Sequence, residues 1–166
     1  MMTQEIVTCG NPGESLETRQ AIGSLEQRMR EHPETVIPGA KVLDLPVRHL
    51  FSKGLYAREL TLPAGTLAVG KLHRFEHLNV ISKGKIAVVS ENGRAVITAP
   101  HIWNSLPGAK HVGFAMEETV WTTFHPSEET DPEKLEAALA APDYDDPVLC
   151  EEMGRLALAL AEEVAK

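Results

Sequence analysis

The chain has 166 residues, 43% of them hydrophobic, and a formal net charge of −8. That length suits one domain with a proper core, and that composition argues against disorder of the whole chain. No run approaches ~18 uninterrupted apolar residues, so a membrane-spanning helix is not expected.

The charge is lopsided. Residues 127–166 carry twelve Asp/Glu against three Lys/Arg, and the remainder is close to neutral. Neither part offers a basic stripe interleaved with aromatics, so nucleic-acid binding is not expected. The N-terminus, Met1 to Cys9, lacks a basic stretch followed by a long apolar one, so a signal peptide is not expected either. Cys9 and Cys150 are the only cysteines, too few for a disulfide framework, and a cytoplasmic setting fits best.

In chain order, residues 12–31 read as a helix. Leu16, Ile22, Leu25 and Met29 recur at roughly helical spacing. Asn11 is the expected N-cap, with Pro12 at N1 and Glu14 at N3 in the spacing of a capping box. Pro33 and Pro38 then break the chain. The helix is expected to cover one face of a barrel.

From about 40 to 126 the period becomes that of strands. They are expected at 41–45, 47–51, 55–61, 66–70, 73–82, 85–90, 94–99, 101–106, 110–115 and 119–125. Turn chemistry separates them at Pro63-Ala-Gly65, Lys83-Gly84, Asn92-Gly93 and Pro107-Gly108. Asn-Gly is the clearest of these, because a type I′ hairpin needs positive φ at both central residues. Eight to ten short strands with hairpin signals point to a sandwich or barrel, not to βαβ units.

After Pro126 the pattern is helical again. Asp131-Pro132 reads as an N-cap followed by Pro at N1, opening a helix through about Ala141. A break at 142–147 comes next. Leu149, Met153, Leu156 and Leu160 then mark a last amphipathic helix, whose apolar face needs the barrel or another subunit. The expected organisation is an N-terminal helical extension (1–40), a β-barrel (41–126) and an acidic helical tail (127–166), within one compact domain.

Histidines carry the chemistry. Side chains alternate along a strand, so His73 and His77 share a face with Phe75, Asn79 and Ile81. If that face is the inside of a closed sheet, a distant strand could bring His111 to the same ion. Three imidazoles leave coordination positions open, as in catalytic rather than structural metal sites. Imidazole suits Zn, Fe, Ni or Cu, so ligand type alone does not fix the metal. Polar barrel residues held by hydrogen bonds are the plainer reading of the same pattern. Tyr56 and Arg58 alternate on one strand and are candidates for holding an anionic ligand, a solvated outer face being the alternative. His125 ends the last strand in alternation with Thr123 and Trp121, and is a candidate substrate contact. His32 and His49 read as surface or structural residues, and Trp103 and Trp121 as core aromatics.

The segment around these residues resembles the cupin family. Its first motif runs Gly, five residues, His-x-His, three or four residues, Glu, six residues, Gly. Aligning the final Gly with Gly84 puts His77 at the Glu position, His73 at the second His and Lys71 at the first. The second motif ends Pro-x-Gly-x-x-His, which Pro107-Gly108-Ala-Lys-His111 matches with one residue fewer. Gly54-Leu-Tyr-Ala-Arg-Glu-Leu, the His-rich strand followed by Leu-Asn-Val-Ile-Ser-Lys-Gly, and Glu118-Thr-Val-Trp-Thr-Thr-Phe-His125 make the whole chain similar also to small cupin-like proteins found in bacteriophage genomes, a likeness that implies no established activity.

The resemblance covers roughly residues 45–125. It implies a mainly β fold, a cupin-like jelly-roll β-barrel flanked by an N-terminal helix and C-terminal helices, with a divalent transition metal (Fe, Zn, Ni or Mn) inside. A Lys amine must lose its proton to bind a metal, so the expected protein ligands are His73, His77 and His111. Without a carboxylate the site is more positive than the usual cupin site, which favours an anionic substrate or bound hydroxide. Lys71 could then meet the substrate as a cation. Glu76 has the wrong parity for the interior unless a bulge turns it inward; it and Lys71 are the candidate catalytic residues.

Three functions stand as alternatives. One is a metal-dependent enzyme, an oxygenase, isomerase or lyase, acting on a small molecule. The second is a non-catalytic module that binds or sequesters a small ligand. The third is a structural or assembly protein with core histidines. Cupins often pair, so a homodimer is expected.

Overall fold

The computed structural model describes residues 12–31, 45–90 and 93–164. The elements run α1 (Pro12–Glu31), β1 (Val47–Ser52), β2 (Leu55–Leu62), β3 (Leu67–Val69), β4 (Leu72–His73), β5 (His77–Lys83), β6 (Lys85–Ser90), β7 (Gly93–Thr98), β8 (His101–Ser105), β9 (Val112–Ala115), β10 (Thr119–Pro126), α2 (Pro132–Leu139), β11 (Ala140–Ala141) and α3 (Pro147–Val164).

The strands form two facing antiparallel sheets and one short pair. One sheet has the order β1-β2-β10-β5-β8, the other β3-β9-β6-β7, and β4 pairs with β11. Leaving out β1 and the short pair, the remaining eight strands obey a fixed scheme. The first pairs with the last, the last with the third, and the third with the sixth. In the other sheet the second pairs with the seventh, the seventh with the fourth, and the fourth with the fifth. That is the double Greek key of a jelly roll, so the chain is mainly β, with one helix before the barrel and two after it among the described residues.

Alternation sets what faces inward. Along β5, His77, Asn79 and Ile81 are buried while Leu78 is exposed, and along β6 Ile86, Val88 and Ser90 are buried. Leu62, Ile81, Ile86, Val88, Ile97 and Ala115 form the core between the sheets, with Trp103 and Trp121 packed against it. Each Leu, Ile or Val side chain among them contributes about 1.5–3 kcal/mol by leaving water. The β5–β6 turn needs Gly84: its φ is +87°, and a Cβ there would lie 2.1 Å from the carbonyl oxygen of Glu118.

Helix α1 matches the expected span. Ile22 is buried on Leu67 and Val112, with Leu25 and Met29 packed beside it, whereas Leu16, assigned to the same face, is 58% exposed. Asp131 caps α2 as expected, its side chain accepting from the backbone N–H of Glu133 and Lys134.

Two expectations need correction. The single strand at 73–82 is two strands separated by a bend at 74–76. The helix expected to reach Ala141 ends at Leu139, because Ala140 and Ala141 leave it to pair with His73 and Leu72. The N-cap Asn11 with its capping box, the strand at 41–45, Pro33, Pro38, His32, Cys9 and the Asn92 half of the Asn-Gly turn lie outside the described residues. In α3, Leu149 is fully buried and Met153 packs with Leu72 and Ala141, but Leu158, Leu160 and Val164 beyond them are exposed. Among the described residues, no helix is long and apolar enough to cross a membrane.

Candidate metal centre

A cavity of about 280 Å³ opens at one end of the barrel, between the inner faces of β2, β5 and β10 and under α2. His73, His77 and His125 meet in it. Each offers a ring nitrogen, and these atoms lie within 4.8 Å of one another. The ring centroids are 4.2 Å apart for His73 and His77, 4.9 Å for His77 and His125, and 5.4 Å for His73 and His125.

Different local structures deliver the three rings. His125 sits at the end of β10 on the face that also carries Thr123 and Trp121, and pairs across to Tyr56. His77 opens β5, opposite Ser105 of β8. His73 lies before the bend and is clamped by its backbone: its N–H donates to the Ala109 carbonyl at 3.1 Å, and its own carbonyl accepts from Gly108 at 2.8 Å. The Pro107-Gly108 turn therefore holds His73 directly.

Arg74 fixes the bend from the other side. Its backbone N–H donates to the Leu139 carbonyl at 2.9 Å, and its guanidinium donates to the Ala137 and Ala138 carbonyls at the end of α2. The same fork donates twice to Asp146, at 3.0 and 2.8 Å. Asp146 also accepts from the Leu149 N–H in the first turn of α3. The Arg74 hydrogen bond is the main reason that the Asp146 carboxyl is held down at about 2. One arginine thus ties the histidine bend to both C-terminal helices.

The imidazoles are held neutral. Burial pushes His73 down to about 2, reinforced by the neighbouring His77, His125 and His111. Burial likewise lowers His125 to about 4, with His77 and Arg58 adding to it. It lowers His77 too, against the pull of the Phe75 carbonyl. Neutral rings have the lone pair that a metal needs. His77 Nδ1 lies 3.1 Å from the Phe75 carbonyl oxygen, to which it donates, leaving Nε2 to accept. His125 Nε2 lies 3.1 Å from Thr123 Oγ1. His73 Nδ1 is buried with no hydrogen-bond partner among the described residues.

This donor set fits a divalent transition metal. Two nitrogens bound at ~2.1 Å in a tetrahedral site are about 3.4 Å apart, so the ring nitrogens, which lie within 4.8 Å of one another, would close by about 1.4 Å at most around an ion, a shift that small rotations of the three rings supply. A cation would also supply the partner that His73 Nδ1 lacks. Three imidazoles and no carboxylate suit borderline metals over Mg or Ca.

The other candidate residues fall around this group. His111 lines the same cavity, but its Nε2 lies 3.3 Å from Ser105 Oγ and the ring is outside the converging group. Burial, then the nearby His77, lowers it to about 4. Tyr56 is buried in the wall, its hydroxyl 2.8 Å from His49 Nδ1 and its ring stacked on His125 at 6.0 Å. Burial raises the phenol, partly offset by Arg58. Arg58 lines the cavity half-buried, with no hydrogen bond or ion pair among the described residues. Lys71 is at the rim, where its ammonium donates to Glu136 of α2. That hydrogen bond lowers the Glu136 carboxyl. Glu76 is exposed on the outside, accepts from the Asn104 amide and does not line the cavity.

Sequence reasoning does not place His49, Glu136 or Ser105 in the site. His49 shares an inward parity with Val47 and Phe51, a signal available in the sequence. Glu136 and Ser105 reach the site only through tertiary packing.

No family model and no curated protein matches the chain. Solved structures do align with it. A cupin superfamily protein from Desulfitobacterium hafniense aligns with a TM-score of 0.45 and 8% identity, over 57% of this chain and 86% of that one. KdgF from a Halomonas species aligns with a TM-score of 0.45 and 15% identity, over 53% and 86%. An acetylacetone dioxygenase from Acinetobacter johnsonii aligns with a TM-score of 0.41 and 21% identity, over 49% and 59%.

Proposed function

We propose that this chain is a metal-dependent enzyme of the jelly-roll class that acts on a small anionic molecule, with His73, His77 and His125 holding the metal. The unpartnered, buried Nδ1 of His73 in a cluster of neutral imidazoles carries this reading. A bound divalent cation supplies Lewis acidity or oxygen activation. Arg58, half-buried and unpaired among the described residues, receives and orients the anion, and Tyr56 packs behind it. Lys71 adds positive charge at the mouth, and α2 limits the entry of water.

A second reading, a non-catalytic binding or sequestering module, is favoured by one observation. Glu76, the candidate proton carrier, points away from the cavity, and Glu136 is engaged with Lys71. The exposed Leu160 and Val164 on α3 support a homodimer, which light scattering would register.

The test is elemental analysis of protein purified without a histidine tag. About one transition-metal ion per chain is expected, and none in a His73→Ala/His77→Ala double variant. Metal-free wild type, with fold and stability unchanged in the double variant, would make the histidines core residues and end the proposal. A turnover screen over small carboxylates then separates enzyme from binder.

A further inference from the structure

A buried hydrogen-bond chain with a fixed direction ends on His111. The Trp121 indole N–H can only donate, and it donates to Asn79 Oδ1 at 3.0 Å. That sets the Asn79 amide so that Nδ2 donates to Ser105 Oγ at 2.9 Å. Asn79 is fully buried and Ser105 nearly so. The Ser105 hydroxyl keeps one hydrogen, and the acceptor it meets among the described residues is His111 Nε2 at 3.3 Å. With Nε2 accepting, a neutral ring carries its proton on Nδ1. The opposite arrangement, Nε2 donating to Ser105, would make the hydroxyl accept twice and leave its hydrogen unmet in a buried place.

The ring is also held edge-on by Trp121, at 5.6 Å and 70°, and by Trp103, at 6.2 Å and 73°. Its Nδ1 has no hydrogen-bond partner among the described residues. It is not sealed off as His73 Nδ1 is, and the ring lines the cavity.

We infer that His111 is not a metal ligand but a positioned N–H donor for an oxyanion, such as a carboxylate or enolate oxygen, held in the cavity beside the metal. Trp121, Asn79 and Ser105 are positioning residues that act through it. The inference rests on the three-histidine metal reading and deepens it, because it names the chemical class of the ligand: an oxyanion that takes a neutral donor from His111 and a charged one from Arg58.

The experiment uses the full chain loaded with cobalt(II), read by its visible d–d spectrum and titrated with acetate. The wild type is expected to take one cobalt and to respond to acetate. His111→Ala is expected to keep the cobalt and its bands, with acetate bound about tenfold more weakly, the worth of one hydrogen bond to a charged group. Ser105→Ala is expected to keep the bands and also weaken acetate. Loss of cobalt or altered bands in His111→Ala would make His111 a ligand and overturn the inference alone. So would equal acetate affinity in that variant, or a wild type whose cobalt spectrum ignores acetate. A wild type that takes up no cobalt would bring down the metal reading itself. Circular dichroism monitors folding; if His111→Ala misfolds, Ser105→Ala decides, unchanged acetate affinity being the overturning result.

Discussion

The two ends of the barrel are built from the same strands and have opposite character. On β2 the inward residues run Tyr56, Arg58, Leu60, Leu62; on β10 they run His125, Thr123, Trp121, Thr119; on β5 they run His77, Asn79, Ile81. Registration lines these up in layers. His125 faces Tyr56, Thr123 faces both Arg58 and Asn79, and Trp121 faces both Leu60 and Ile81. One end is therefore a polar, ring-lined cavity and the other a close-packed apolar core. Alternation decides only which face a residue takes; distance along the strand decides whether it serves the core or the site.

The largest effect should separate the two ends in stability. Ile81→Ala removes a fully buried side chain from the dry end and should cost about 2–5 kcal/mol in urea unfolding. His77→Ala, at the wet end, leaves a polar space that water can enter and should cost less than ~1.5 kcal/mol in metal-free protein. Equal costs would mean that the histidine end is simply more core.

The second effect is on pH. The folded-state values of His73, His111 and His125 are depressed, to about 2, 4 and 4, below the ~6.5 of an unfolded histidine. Above that unfolded value both states are neutral and nothing is lost. As pH falls below it, the unfolded chain takes up protons that the fold refuses, so stability drops until the folded values are reached. Urea midpoints of metal-free protein should be flat from pH 8 to about 6.5 and then fall toward pH 4, by up to ~1.4 kcal/mol per unit for each group. His125→Asn should shallow that slope, whereas Ile81→Ala should lower the whole curve without changing it. A slope unaltered by His125→Asn would assign the acid sensitivity elsewhere.

How much of this is legible in the sequence depends on which interactions are local. The strands from 47 to 69 and from 85 to 126, the Gly84 turn and the Asp131 cap all rest on residues a few positions apart, and the sequence pattern locates them to within about two residues; the break at 74–76 and the strand at 140–141 escape it. Alternation brings His73 and His77 together only on one continuous strand. The bend at 74–76 replaces that geometry, and the two rings meet because the backbone turns. His125 carries an inward parity signal through Trp121 and Thr123. That β10 lies beside β5, and not in the other sheet, is a long-range pairing with no local signature. The same holds for Ser105, whose place opposite His77 diverts His111 Nε2. Arg74 gives no signal at all, because its partners are supplied by helices more than sixty residues away.

Arg74 gives a third way to sharpen the contrast, smaller in energy and confined to the wet end. Arg74→Gln removes the fork to Asp146 and the contacts to the Ala137 and Ala138 carbonyls. Amides of α2 should exchange faster with deuterium, and a metal held by His73 should leave faster, while the amides of β6 keep their protection. Uniform acceleration across both ends would make Arg74 a general stabiliser of the barrel.

The smallest effect belongs to the rim. Lys71 and Glu136 are both more than half exposed in their side chains, so their ion pair is screened and its loss should change unfolding free energy by less than ~1 kcal/mol. Its removal should still be felt by an approaching anion. Glu136→Gln takes one negative charge from the cavity mouth and leaves Lys71 and Arg58 facing solvent without that carboxylate. The association rate of acetate with cobalt-loaded protein should rise, and the gain should shrink as salt is added, because the Debye length falls from ~30 Å at 0.01 M to ~10 Å at 0.1 M. Lys71→Gln should shift the rate the other way with equally little change in stability. If both variants left the rate untouched, the rim charge would not steer ligands, and the affinity for anions would rest on Arg58 and the rings deeper in the cavity.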